Sequence, residues 1–414
     1  MLSRLRLSLR QLGPGLITGA ADDDPSGIAT YSQAGAQFGF SMLWSMVFTL
    51  PLMTAIQIVS ARIGYVTGRG LAANFKTAFP RPMLLALVGL LLAANTLNIA
   101  ADIAAMAEAV KLLAGGSTHV YALTFGLGSA VMQVFLPYQS YVRWLKWLTL
   151  ALLAYVGVIA VIGLDWREVA ARTLHPDLRW NRDTLLMLVA LFGTTISPYL
   201  FFWQASQEVE DRGAGEPHTP QEVKQHLRRI KIDTNIGMTF SNLIAFFIML
   251  AAAATLHANG VTDIQTSAQA VEALRPLAGE HAALLFALGI IGTGMLAVPV
   301  LAGSAAYAVA EMAGWRGSLS LRLERGEGRG FYGVIAAATL GGVALCFTTM
   351  DPVKELFWSA VFNGVVAVPI MTAMMVLASR PSVMQGHAIG PRLRAMGWLA
   401  TGVMALTVLA LAFA

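Results

Sequence analysis

Three consecutive carboxylates, Asp22, Asp23 and Asp24, stand inside the first long apolar segment of this chain, followed at once by Pro25, Ser26 and Gly27. At a bilayer centre an ionised Asp costs about 2.5–3.5 kcal/mol on insertion scales, so three in succession must face protein, water or a bound cation. Successive helical residues point about 100° apart, and an unbroken helix could not aim all three at one place. Pro25 lacks a backbone donor, and Gly27 tolerates dihedrals that other residues avoid. The stretch therefore predicts a broken helix, one half ending near Asp22 and the second starting near Gly27.

The bilayer itself is implied by composition. Only 12% of the 414 residues are charged, against about 25% in soluble domains, and 56% are hydrophobic. Runs long enough to cross about 30 Å of hydrocarbon occur eleven times, over 12–38, 42–64, 83–113, 118–137, 144–164, 184–209, 232–256, 282–312, 331–350, 354–378 and 396–413. This is an all-α polytopic membrane protein. The Arg/Leu-alternating segment Met1–Arg10 runs into the first span with no small-residue cleavage site, and is expected to stay with the mature chain.

About three quarters of the 28 Lys and Arg gather on one side if the N-terminus is cytoplasmic. They include Arg4, Arg6 and Arg10, Arg143 and Lys146, Arg228 and Arg229, and Arg322 and Arg325. The rule puts the C-terminus outside, and the chain is expected in the cell (inner) membrane. The connections 165–183 and 210–230 read as short polar loops, 313–330 as a Gly/Arg-rich loop, and 257–281 as a segment with room for a short helix. The lone Cys346, in an apolar run, reads as a packed, inert thiol. No histidine lies deep in a span, and no HExxH, CxxC, P-loop or GxSxG arrangement is present, which argues against an enzyme. A net charge of +5 does not suggest nucleic-acid binding.

The sixth span carries a second interruption, Gly193-Thr194-Thr195-Ile196-Ser197-Pro198-Tyr199. Spans one and six are five apart, and an odd number of spans per half turns the halves over relative to each other. The halves are read as 1–164 and 184–378, with 396–413 appended. Interrupted segments at matching places of two such halves are the best sequence pointer to a transport site, and their unwound carbonyls and half-helix C-termini suit a cation.

Other spans carry polar faces. In span three Asn95, Asn98 and Asp102 share one face, either as a polar track for a cation or proton or as an interhelical hydrogen-bond network. Glu108 and Lys111 read as a pair near the outer interface. Asn235, Thr239 and Asn242 in span seven, and Ser304, Tyr307 and Glu311 in span eight, read as packing contacts, with Asp233 near the inner end of span seven. Asn363 in span ten is placed to reach a central site.

Together these residues resemble the Nramp (natural-resistance-associated macrophage protein) family of divalent-metal transporters. The resemblance implies a leucine-transporter-like fold, a five-plus-five inverted repeat with an eleventh helix. Family members carry Asp-Pro-Gly-Asn in span one and Met-Pro-His in span six; this chain has Asp24-Pro25-Ser26-Gly27 and Ser197-Pro198-Tyr199. By that resemblance Asp24 matches the metal-binding Asp, and Thr194 the residue whose carbonyl joins the metal shell. Gly27 stands where a metal-binding Asn is expected, Ser197 replaces the Met and Tyr199 the His. Asp102 matches an Asp implicated in proton release, but Ala105 and Gln204 replace its acidic and His partners, which implies weak or absent proton coupling. Asn363 takes the place of a span-ten Gln.

The substitutions have a chemical direction. Losing thioether sulfur while keeping oxygen donors suits Mg²⁺, Ca²⁺ or Mn²⁺; the pattern resembles the Nramp-related magnesium transporters, which implies Mg²⁺ as the favoured substrate with Mn²⁺ as a second. Gly27 and Ser197 are expected to enlarge the cavity for a partly hydrated ion. Asp22 and Asp23 add charge, and three adjacent carboxylates need a bound cation or shared protons. The divalent cation is substrate, and no cofactor is implied. An alternative keeps the fold but carries a non-metal small solute, with Asp24 as a proton or Na⁺ site. A non-transporting sensor lacks any segment long enough to be an output domain.

Overall fold

The computed structural model describes residues 13–136, 148–177, 179–212, 219–319, 321, 327–347 and 351–414. The expectations resting on Met1–Arg10, Arg143, Lys146, Arg322, Arg325 and the segment ends at 137, 144–147 and 348–350 lie outside these. Every regular element described is helical. In chain order they are α1 (Pro14–Asp22), α2 (Pro25–Phe38), α3 (Leu43–Thr67), α4 (Leu71–Ala78), α5 (Arg81–Ala114), α6 (Thr118–Phe135), α7 (Leu153–Val161), α8 (Trp166–Leu174) and α9 (Arg182–Thr195). There follow α10 (Pro198–Arg212), α11 (Pro220–Thr255), α12 (Ser267–Val271), α13 (Arg275–Ala278), α14 (Ala282–Ala313), α15 (Arg329–Leu345), α16 (Pro352–Ala378) and α17 (Pro391–Phe413).

Among the described residues, seven helical segments are long and apolar enough to cross a membrane. They differ in number from the eleven anticipated runs for local reasons. Pro25–Thr67 is continuous through a 3₁₀ turn at Gly39–Met42 and carries both the end of the first run and the whole second. Thr118–Phe135 mixes His119, Tyr121 and Gln133 with its apolar residues, and Arg329–Leu345 is short at 17 residues. Leu150–Val161 bends by 115° into Trp166–Leu174. The region 165–183, read as a loop, thus holds a helix, started by Asp165 accepting from the Arg167 N–H. The loop 210–230 is also shorter than expected, because a Thr219/Glu222 capping box and Pro220 start α11 well before its apolar part.

Packing is inside-out relative to a water-soluble protein. Gln57, Asn95, Asn98, Asp102 and Gln204 are buried, while Leu97, Val120, Leu127, Leu243, Leu406 and Leu409 are exposed. Apolar side chains on the outside suit hydrocarbon, and exposed Trp166, Trp180, Trp358 and Trp398 suit its interfaces. The helix pairs come in matched sets: the first span packs on α11 as the sixth packs on α3, and α5 packs on α14. Exchange of two inverted five-span halves requires those pairs.

One close helix contact is between α1 and α11. A Cβ at Gly19 would lie 2.3 Å from the Gly237 backbone, so the helices touch through bare backbone. Gly19→Val should force α1 off α11 and cost about 1–3 kcal/mol. Thermal unfolding of the purified protein in detergent reads this directly, and an unchanged midpoint would contradict the contact.

Candidate functional site

Both interruptions are where the prolines put them, but they are shorter than the sequence suggests. α1 ends at Asp22 and α2 starts at Pro25, two residues before Gly27, with Asp23 and Asp24 as the flanking non-helical pair. Asp24 is extended (φ −74°, ψ 169°), and its carboxylate Oδ1 accepts from the Gly27 N–H at 2.7 Å. It is therefore the N-cap of α2, and Pro25 at the first helical position needs no donor partner. In the sixth span α9 ends at Thr195 and α10 starts at Pro198, leaving Ile196 and Ser197 between them.

Several expected site residues meet here. Asp24 Oδ2 accepts from Asn98 Nδ2 at 3.2 Å and from the Tyr199 hydroxyl at 3.3 Å. That hydroxyl also donates to the Ala21 carbonyl at 2.9 Å, so one phenol joins the end of α1 to the start of α2. Asn363 donates to Asn98 Oδ1 at 3.3 Å, bringing α16 into the chain. Ser26 donates to the Leu356 carbonyl at 3.2 Å and receives Ser359 Oγ at 3.3 Å. Ser197 Oγ turns back onto its own half-helix, donating to the carbonyls of Gly193 (2.9 Å) and Thr194 (2.8 Å). All these side chains are buried, Asp24 at 2% exposure.

Asp22 and Asp23 face elsewhere. Their carboxylates converge on one hydroxyl, Ser241 of α11, at 2.6 and 3.0 Å. A single hydroxyl hydrogen serves one oxygen at a time, and Asp22 Oδ1 has no partner among the described residues. Both acids sit at the C-terminal end of α1, where the helix dipole is already negative, whereas Asp24 sits at the favourable N-terminal end of α2. Among the described residues no ion pair reaches Asp22, Asp23, Asp24 or Asp102. All four carboxyl groups are buried.

Not every expected residue joins. Asp102 is fully buried with both oxygens lacking a partner among the described residues. Gln204 lies on a separate line, accepting from Gln57 at 2.7 Å and donating to Thr234 at 2.9 Å. The expected enlargement at Gly27 does not occur: a Cβ there would lie 3.1 Å from Thr194 Oγ1 and 3.2 Å from Tyr31 Cε2, so those two side chains already fill the space. The polar track and the hydrogen-bond network in span three both have members: Asn98 serves Asp24, while Asn95 ties α5 to the Leu301 carbonyl and Ser304 on α14.

In span seven the singled-out face is the wrong one. Asn235 bonds its own helix and Thr239 is exposed; only Asn242 reaches another helix, at the Met46 carbonyl. The face turned to the site is Thr234, Gly237 and Ser241, at i, i+3 and i+7, a stripe of small and hydroxyl residues that stands out little in an apolar helix. Span eight packs as expected, Ser304 to Asn95, Tyr307 to Glu210, and Glu311 to the Ala73 N–H and Ser206.

The first break is approached from two sides. On one, a cavity of about 180 Å³ lined by Gln33, Gln37, Asp183, Asp263, Lys354 and Trp358 shares Ala29, Ile264 and Val353 with a smaller one of about 20 Å³ that reaches Ile28 and Leu356. Ile28 is one helical turn from Asp24, its N–H bonding the Asp24 carbonyl at 3.0 Å. On the other side α1 is pinned: the Gly15 N–H donates to Asp233 Oδ2 at 2.7 Å.

The family profile described as "Natural resistance-associated macrophage protein-like" matches residues 15–414. A protein of Yersinia enterocolitica named "Divalent metal cation transporter MntH" is 31% identical over 298 residues, 70% of each chain. A protein of the same name from Aeromonas hydrophila is 28% identical over 300 residues, again 70% of each. Among solved structures, a manganese transporter of Eremococcus coleocola superposes with a TM-score of 0.78 at 17% identity, covering 98% of this chain and 86% of that one. Mhp1, a nucleobase-cation-symport-1 family transporter, superposes with a TM-score of 0.63 at 12% identity, covering 97% and 92%. These two establish the fold.

An unpartnered buried carboxyl group is a structural burden. Replacing Asp102 by Leu, similar in size, should raise the thermal midpoint of the purified protein, by about 1–3 kcal/mol in stability. A lower midpoint would show that the carboxyl has a structural partner.

Proposed function

The chain belongs to the natural resistance-associated macrophage protein family, making it a multi-pass integral membrane transporter, and from that premise we propose that it carries a divalent metal cation, Mg²⁺ in preference to Mn²⁺, by alternating access. The observation that carries this reading is Asp24, a buried carboxylate at the meeting of two helix breaks, with donors on each oxygen and no ion-paired side chain among the described residues. An ionised carboxylate has about four lone-pair sites. Oδ1 uses one on the Gly27 N–H and Oδ2 one on Asn98, while the single Tyr199 hydrogen is shared between Oδ2 at 3.3 Å and the nearer Ala21 carbonyl at 2.9 Å, so a cation coordinates a free lone pair or displaces the longer Tyr199 contact.

The choice of metal rests on the donors around the break. Asp24, the Thr194 carbonyl, Ser197 and Tyr199 are all oxygen, a set that suits hard cations over softer transition metals. Asp22 and Asp23 lie two and one residues away and add field rather than direct ligands, because both are turned toward Ser241. Thr194 and Tyr31 fill the space beside Gly27, so room for water on the ion comes from displacement of the sixth-span half-helix. Proton coupling is weak or absent in this reading. Asp102 has no acidic neighbour three residues on, where Ala105 stands, and Gln204 bonds Gln57 and Thr234 instead. The same reading keeps the chain in the inner membrane with its N-terminus cytoplasmic and its repeats at 1–164 and 184–378.

In proteoliposomes, Asp24→Ala should lower Mg²⁺ and Mn²⁺ flux to that of protein-free vesicles; flux at the unmodified level would remove the assignment. Competition among Mg²⁺, Mn²⁺ and Ca²⁺ with a pH-sensitive dye inside should show Mg²⁺ preferred and little proton movement. Ser197→Met restores a thioether, and should move selectivity toward Mn²⁺ by about tenfold relative to Mg²⁺. An unchanged ratio would separate Ser197 from the metal.

A further inference from the structure

A second group of metal-ligating side chains lies apart from Asp24, where the end of α10 meets the start of α11. Glu208, Asp211 and His226 each present a ligand atom, all within 4.8 Å of one another. His226 Nε2 is 3.2 Å from Glu208 Oε2, and its ring stacks on Tyr65 with centroids 3.8 Å apart and planes 6° from parallel. The stack fixes the plane of the imidazole. Arg229 occupies the middle of the group: Nη2 bonds Asp211 Oδ2, lies 3.1 Å from His226 Nε2 and 3.6 Å from Glu208 Oε2.

The hydrogen bookkeeping of this cluster does not close. If His226 Nε2 accepts from Arg229, it faces Glu208 Oε2 as one acceptor against another at 3.2 Å. If Nε2 carries a hydrogen and donates to Glu208, it meets the Arg229 N–H as one donor against another. Glu208 Oε1 is buried and has no partner among the described residues, on a side chain only 1% exposed. The one fixed cation that reaches the buried Glu208 among the described residues is Arg229, 3.6 Å from Oε2 and shared with Asp211. Three lone pairs from an imidazole and two carboxylates need a centre that accepts all three, and a guanidinium nitrogen with two hydrogens does not supply it.

We propose that Glu208, Asp211 and His226 form a second divalent-metal site, selective for transition metals such as Mn²⁺, Co²⁺ or Zn²⁺, with Arg229 as the tethered cation that a metal displaces. One nitrogen and two carboxylate donors favour these ions over Mg²⁺, in contrast to the all-oxygen donors around Asp24. Occupancy is felt at α1. The Arg229 guanidinium lies 3.1 Å from where a Cβ of Gly13 would sit, immediately before α1, and Asp233 one turn along α11 holds the Gly15 N–H. Metal that pulls Arg229 out of this corner loosens the seat of the first half-helix. The site exists independently of whether Asp24 binds the transported ion.

The test uses full-length Asp24→Asn protein in detergent, whose Asn keeps the α2 cap while removing the central charge. Co²⁺ is titrated in, following its visible absorption for nitrogen coordination and calorimetry for stoichiometry. One Co²⁺ per chain is expected, resistant to Mg²⁺ at about a hundredfold excess, lost in Glu208→Gln and His226→Ala, and about tenfold tighter in Arg229→Met. His226→Phe keeps the stack on Tyr65 and removes the nitrogen, and replaces His226→Ala should that variant not be recovered monodisperse. No Co²⁺ binding in the Asp24→Asn protein, binding unmoved by loss of the imidazole, or Arg229→Met binding no tighter would each overturn the proposal. Flux through the Asp24 site is measured separately, so either reading can fail alone.

Discussion

The structure depends on how two helix breaks are satisfied without water. Each interruption frees backbone donors and carbonyls that hydrocarbon cannot solvate, at several kcal/mol apiece if left alone. The first break is closed by its own acid: Asp24 caps the α2 donors, and Tyr199, from just past the second break, takes the Ala21 carbonyl. At the second, Ser197 returns its hydroxyl to Gly193 and Thr194. One residue, Asp24, is thus both the structural cap and the charge at the crossing point. Asn98 and Asn363 extend the network into α5 and α16, which hold the two broken helices in register.

Carboxylates do a second job at the end of the molecule that bears the start of α1. Asp233 accepts the Gly15 N–H at the beginning of α1, and Glu311 accepts the Ala73 N–H at the beginning of α4. Each sits where the helix dipole favours negative charge. Together with the glycine contact between α1 and α11 they shut this face. At the opposite face α2 also meets α11 through a glycine, where a Cβ at Gly35 would lie 2.2 Å from the Met249 carbonyl. There Gln33 of α2 accepts the Ile264 N–H beside an open cavity that includes Asp183 and Asp263.

Much of this was legible from single residues. The proline at each break, the acid before the first and the odd number of spans between them give the broken pair and the inverted halves, because the bilayer leaves so few ways to place them. Asp24, Asn98, Tyr199 and Asn363 were each identifiable as polar residues within apolar spans. Ser241 was not, since a lone serine in an apolar helix carries no signal. The working face of α11 was hidden for the same reason: its members are small, and the larger Asn235 drew attention to a face where it bonds only its own helix. α8 was missed because amphipathic surface helices lack the apolar length that marks a span.

What the sequence determined alone is the all-helical membrane fold, the two breaks and the acid at the first of them, because solvation by hydrocarbon acts on each segment independently of its neighbours. What only tertiary structure decided is direction. Asp22 and Asp23 adjoin Asp24 in the chain, yet turn to Ser241 on α11 while Asp24 turns to Asn98 and Tyr199. The helix ends between Asp22 and Pro25, and the φ and ψ values taken there send successive side chains to different partners, which only the packing of α5, α10 and α11 around them can select.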